Sequence, residues 1–201
     1  MGESKQKQEQ ILKSSTVKKT IPRERLSNDP FTEEEIKKLL EAVTNARDHA
    51  LLVLGFNSGM RVSEAVSVDR LALNEAEGFI TIWDEKKNVF RKVYLPVGTI
   101  NELIRFYDST PKEERTNKFF NFGCKTAENI IQHWTATVLG KKKSWHCVRH
   151  SYVTLSSIKG TPIPVVCANT GDAAATILKH YTNLPPQVLR RYVEDNAIYK
   201  E

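Results

Sequence analysis

Residues 144–155 read S-W-H-C-V-R-H-S-Y-V-T-L, and residues 169–182 read N-T-G-D-A-A-A-T-I-L-K-H-Y-T. His146 and Arg149 stand three residues apart, one helical turn, so both can point at one spot. Tyr181 ends the second stretch, ten residues after Gly171. Upstream, G-M-R-V-S-E carries Arg61. A guanidinium is planar, always protonated and able to bind two oxygens at once, which suits the charge that develops on the non-bridging oxygens of a phosphate. An imidazole can move a proton, and a phenol can act as a nucleophile. Together these groups indicate phosphate chemistry. Taken singly, each has an ordinary structural reading: a surface ion pair, a helix hydrogen bond, a core tyrosine.

The elements that must position these residues can be read in order. Residues 1–28 are polar, Lys- and Gln-rich, and read as a basic arm or linker. The folded domain begins near Asp29. Thr32 and Glu35 form a capping box ahead of Ile36, Leu39, Leu40 and Val43 at helical spacing. A second helix runs from about Ala46 to Asn57, and Ser58-Gly59 breaks it. Arg61 opens a short third helix. Residues 79–84 and 89–95 are β-rich, with E-K-K-N between them as a hairpin turn. Thr99 and Glu102 suggest another capping box. Residues 126–139 are amphipathic and end at Gly140. Ser144 caps the helix bearing His146 and Arg149. A short helix follows Pro162, Gly171 breaks it, and the Tyr181 helix comes next. After Pro185-Pro186, residues 187–199 place Val188, Leu189, Tyr192 and Val193 on one face. The fold class is mainly α with a small antiparallel β-hairpin or sheet.

Composition narrows the partners. The chain has 201 residues, 40% of them apolar, enough for one core. No run is long and apolar enough for a membrane span, and the first residues lack the apolar core of a signal peptide. Cys124, Cys147 and Cys167 are odd in number with no C-x-x-C pair, which reads as reduced, mostly buried thiols in a cytoplasmic protein with no zinc site. A net charge of +6 favours a polyanionic partner. The high Lys and Glu content hints at a thermophilic source.

The motifs resemble the catalytic domain of the tyrosine recombinases, the phage integrase family. G-M-R-V-S-E at 59–64 resembles the family's first arginine box, H-C-V-R-H-S at 146–151 its second, and Gly171 with Tyr181 its third in spacing. The resemblance covers residues 30–184. It implies that Tyr181 attacks a phosphodiester of double-stranded DNA to form a 3′-phosphotyrosyl link, without metal or ATP. It implies that Arg61 and Arg149 bind the phosphate and that His146 helps deprotonate the phenol, whose ordinary pKa is about 10. The family's general acid is a hairpin lysine. Lys87 fits best, Lys86 second, with Lys92 on the return strand. Glu64 and His150 are implied to support the arginines, and His180 flanks the nucleophile. The resemblance further implies a tetramer on DNA, coupled by a C-terminal segment, residues 185–201, docking into a neighbour. The integrase of a virus or plasmid, archaeal in source, is the setting it suggests. Family members carry a further DNA-clamping domain, so the chain reads as a fragment or a minimal recombinase.

One position departs from the family. Asp172 stands where a histidine or tryptophan usually donates a hydrogen bond to the phosphate. Three readings are open: it turns away and caps the Tyr181 helix, it is protonated in the complex, or it impairs the enzyme. The first is preferred, because aspartate suits a helix start. Two other functions remain beside recombination: a non-catalytic DNA-binding regulator, and relaxation of DNA in the manner of a type IB topoisomerase.

Overall fold

The computed structural model describes residues 26–27, 29–181 and 184–197, with the backbone alone of Tyr181. Most of the arm read at 1–28 therefore lies outside the described residues. Along the chain run α1 (Glu33–Ala42), α2 (Ala46–Ser58), α3 (Val62–Val66), β1 (Leu73–Asn74), β2 (Phe79–Asp84), β3 (Val89–Tyr94), α4 (Val97–Ser109), α5 (Cys124–Leu139), α6 (Trp145–Ile158), α7 (Ile163–Thr170), α8 (Ala174–Tyr181) and α9 (Pro186–Asp195). This is the mainly helical fold with a small antiparallel sheet. No described helix is long and apolar enough to cross a membrane.

Local chemistry explains most boundaries. Thr32 and Glu35 form the reciprocal capping box at α1. Asn45 caps α2, accepting from the Asp48 N–H at 3.1 Å. The capping box expected at Thr99 and Glu102 does not form. Helix α4 begins earlier, after Pro96, whose fixed φ suits a helix entry. Thr99 is buried and accepts from Asn57 Nδ2 at 3.0 Å, while Glu102 pairs with His49 Nδ1 at 2.6 Å. Ser144 holds the N-cap position of α6, but its hydroxyl lies against Cys147 Sγ, and Glu128 accepts the Trp145 N–H at 3.1 Å. Of the three cysteines only Cys147 is buried; Cys124 is exposed.

The hairpin is joined by a third strand, in the order β1-β2-β3, all antiparallel. Two residues of β1 give too short a pattern to read from sequence. In β2 and β3 the register pairs Ile80 with Val93, Ile82 with Arg91 and Asp84 with Val89, so Ile80, Ile82, Asp84, Arg91 and Val93 share the inward face, while Val89 at its end is exposed. Asn169, at the end of α7, closes β3 from outside. Its Oδ1 accepts from the Tyr94 N–H and its Nδ2 donates to the Tyr94 carbonyl, both at 2.9 Å.

The centre of the core is the crossing of α2 and α6. Gly55 faces the Trp145 ring so closely that a Cβ there would lie 2.8 Å from two ring carbons. The indole N–H donates to the Met60 carbonyl at 2.9 Å. This fixes α6 against the turn that leads to Arg61. A second anchor is Lys143, which has no exposed side-chain surface. Its ammonium donates to the carbonyls of Asp29 and Pro30 and to Glu35, at 3.0–3.2 Å. All its donors thus have partners, as burial demands. It ties the start of α1 to the start of α6.

The last helix, α9, lies on its own chain. Tyr192 covers Gly160, where a Cβ would meet its ring at 2.5 Å, and Arg191 donates to the Ile158 carbonyl at 3.1 Å.

Gly55→Val forces a branched side chain into the Trp145 contact and should cost about 2–3 kcal/mol of stability. Urea unfolding measures this; an unchanged midpoint would mean the α2–α6 crossing is not tightly packed.

Candidate active site

The site is built where several elements end. Helix α2 stops at Gly59, whose φ of 64° ends it in the left-handed region. A Cβ there would lie 2.4 Å from the Tyr152 ring, a second reason for glycine. Arg61 then sits at the N-cap of α3. Glu64, one turn on, accepts the Arg61 backbone N–H at 2.7 Å and its Nη1 at 2.9 Å. A carboxylate in the first turn also complements the positive end of the helix.

Arg149 enters from the middle of α6 and is buried. Nη1 donates to the Gly59 carbonyl at 2.7 Å and Nη2 to the Thr170 carbonyl at 2.9 Å, so it joins the ends of α2 and α7. Burial pulls its pKa below the ordinary guanidinium value, and the Asp172 carboxylate opposes that.

Asp172 corrects the sequence reading. Its carboxylate does not turn into α8. Oδ1 lies 3.1 Å from Arg61 Nη2 and Oδ2 lies 2.6 Å from Arg149 Nη2. The two guanidiniums converge on one anion. The physical reason is the number and charge of the donors: two cationic guanidiniums hold the carboxylate more strongly than neutral backbone N–H groups at a helix start would.

Two residues that sequence reasoning missed stand behind the pair. Arg91 on β3 binds Glu64 Oε2 at 2.9 Å and the Ala168 carbonyl at 3.1 Å. Asp84, fully buried at the end of β2, lies 3.7 Å from Arg61 Nη1 and 3.5 Å from Arg91 Nε. Both were legible in principle. They occupy inward positions of the strand alternation, sharing a face with Ile80, Ile82 and Val93.

Asp84 also positions the hairpin turn. Its Oδ1 accepts the backbone N–H groups of Lys86 and Lys87 at 3.1 and 3.3 Å. Both lysine side chains are exposed. Burial and then the Asp172 carboxylate push the Cys167 thiol up, and Lys87 opposes them. Lys92 is engaged elsewhere, 3.9 Å from Glu77 and over the Phe79 ring.

His146 is exposed in the first turn of α6. Its ring lies 6.4 Å from His150, which meets His180 edge-on at 4.9 Å. The three imidazoles form a row from α6 to the end of α8, and the backbone of Tyr181 closes that helix. Burial and then His150 hold His180 below its ordinary pKa, against the pull of Asp172. Among the described residues no group of histidine, cysteine and acidic side chains could hold a metal ion.

Residues 30–187 match the phage integrase family. Tyrosine recombinase XerA of Pyrococcus furiosus is 27% identical over 192 residues, covering 91% of this chain and 65% of that protein. The chain thus spans less than two thirds of the length of this relative. A crystal structure of XerA recombinase superposes with a TM-score of 0.70 at 22% identity, over 88% of this chain and 67% of that one. XerH site-specific recombinase bound to difH substrate gives 0.65 at 21% identity, over 88% and 54%. These two likenesses establish the fold.

The His180 shift has a definite sign. A histidine held below its unfolded pKa contributes stability that is complete above about pH 6.5 and is lost as pH falls through the folded value. Between about pH 7 and 5.5 the urea midpoint of the wild type should fall more than that of His180→Gln. Parallel curves would show that the α6–α8 contact does not titrate.

Proposed function

The chain belongs to the phage integrase family, and from that premise we propose that it is the catalytic part of a site-specific tyrosine recombinase acting on double-stranded DNA. The observation that carries this reading is the convergence of Arg61 and Arg149 on a single carboxylate, at 3.1 and 2.6 Å. An anion-binding pair of fixed guanidiniums is what a phosphodiester needs as charge grows on its non-bridging oxygens. The tyrosine helix starts two residues beyond that carboxylate.

In the proposed reaction the Tyr181 oxygen attacks phosphorus and its proton passes toward His146. The bond from phosphorus to the 5′-oxygen breaks, and Lys87 protonates the leaving oxygen, with Lys86 as the alternative donor. The 3′-phosphotyrosyl ester keeps the bond energy, so a 5′-hydroxyl from another strand can later attack it and release the tyrosine. No ATP is consumed. Glu64 and His150 hold their neighbours in place. The setting is DNA in the cytoplasm, at a recombination site of a mobile element. The anion already seated on the arginines favours one other reading, a DNA-binding relative that does not cleave.

A nicked-duplex assay separates the two. The purified chain should leave a covalent protein–DNA band after denaturation, mapped by mass spectrometry to Tyr181. Tyr181→Phe should abolish the band, and Arg149→Ala should slow its formation by about 100-fold or more. DNA binding with no adduct would turn the assignment to the non-cleaving reading.

We further infer that the chain assembles as a homo-oligomer on DNA, a tetramer in the synapsed state, through α9. Leu189 and Val193 on that helix are 51% and 70% exposed while it lies on its own chain, apolar surface that a neighbour could cover. Deleting residues 186–201 should then weaken assembly on DNA in analytical ultracentrifugation. Unchanged oligomerisation would refute docking in trans.

A further inference from the structure

The arginines and acids that pair at the site balance. Arg61, Arg91 and Arg149 face Glu64, Asp84 and Asp172, three cations against three anions in one linked network. The three acids are not equivalent. Glu64 and Asp84 have 5% and 0% of their side chains exposed, whereas Asp172 has 21%. Glu64 and Asp84 also accept backbone N–H groups of α3 and the hairpin turn. Among the described residues no backbone hydrogen bond to the Asp172 carboxylate competes with its two guanidinium contacts.

Arg61 and the buried Arg149 thus end on one partly exposed carboxylate, each oxygen on a different guanidinium. Two non-bridging oxygens of a phosphodiester would make the same pair of contacts, and a phosphodiester carries the same single charge. We propose that Asp172 is an internal stand-in for the scissile phosphate, seated on Arg61 and Arg149 in the free chain and exchanged for the DNA phosphate on binding. The inference rests on the recombinase reading for the identity of that phosphate. The exchange leaves the arginine–acid network neutral, whereas adding a phosphate beside the carboxylate would bury an excess negative charge.

The backbone around Asp172 supports exchange by side-chain rotation. Gly171 has a φ of 73°, and a Cβ there would lie 2.7 Å from Asp84 Oδ2 and 2.9 Å from Arg91 Nε. The Asp172 N–H donates to Thr170 Oγ1 at 3.2 Å. The main chain is thus held while the carboxylate, partly in solvent, can swing. Once displaced, it lies two residues ahead of α8, where the free N–H groups of the first turn favour an anion. Asp172 is a positioning residue in this scheme, acting through the arginines and the tyrosine helix.

The test is a calorimetric titration of the whole chain with inorganic phosphate at fixed ionic strength, in the wild type and Asp172→Asn. The asparagine keeps the shape and leaves one positive charge uncompensated. It should bind phosphate about tenfold tighter or more, and Asp172→Glu, which restores the charge, should return toward the wild type. Equal or weaker binding by a folded Asp172→Asn overturns the proposal. So does failure of both Asp172→Asn and Asp172→Ser to fold, since that would make the carboxylate a fixed structural counter-ion. Neither DNA nor cleavage enters this titration. A Tyr181 adduct without the phosphate effect therefore sinks only this inference, and the reverse result sinks only the cleavage assignment.

Discussion

Guanidiniums brought to one point repel each other, and the site is arranged around that constraint. Two unit charges about 4 Å apart at the effective dielectric of a protein surface interact by roughly 4 kcal/mol. Arg61 and Arg149 can converge only because acids converge with them. Each acid comes from a different element: Glu64 from α3, Asp84 from β2, Asp172 from the link between α7 and α8. Arg91 adds a third cation from β3 and donates to carbonyls at the end of α7. The relative placement of the sheet, α3, α6 and α7 is therefore the same problem as the placement of the charges. A shift of any one element would leave a buried charge without its partner, which costs more than the pair contributes.

The chemistry-bearing groups sit at ends of elements, where backbone direction changes and side chains can meet. Arg61 stands at a helix N-cap, His146 in a first turn, Lys87 in a hairpin turn and the Tyr181 backbone at a helix end. The elements behind them are rigid. Trp145 against Gly55 fixes α6, and Lys143 fixes the approach to it from α1. Positioning thus comes from the packed crossing of α2 and α6 rather than from the loops themselves.

What the sequence disclosed and what it concealed follow from the range of the interactions. The arginine boxes, the Thr32 cap and the Gly59 and Gly171 breaks are local, and each was legible from neighbours within one turn. The hairpin was legible from composition, and β1 was too short to leave a pattern. Asp172 was misread because a local rule, aspartate before a helix, was set against partners 111 and 23 positions away. Asp84 and Arg91 lie in stretches read only as β-rich; the parity of Asp84 with Ile80 and Ile82, and of Arg91 with Val93, marks them as inward. Lys143 sits in a run of three lysines, and nothing in the run tells which one is buried. Thr99 followed a cap pattern that Pro96 pre-empted.

The amide of Asn169 also bears on the edge of the sheet. Strand β3 is the outer strand of its sheet, and it carries Val89 and Phe90, 47% and 72% exposed, alongside Trp83 of β2. An open edge of that composition is a template for another strand. By engaging both the N–H and the carbonyl of Tyr94, one side chain imitates the neighbouring strand that is absent and shortens the edge open to pairing. Lys92, beside it, adds the charge that discourages stacking. Asn169 thereby closes part of the sheet edge from the same position at which it joins α7 to the hairpin.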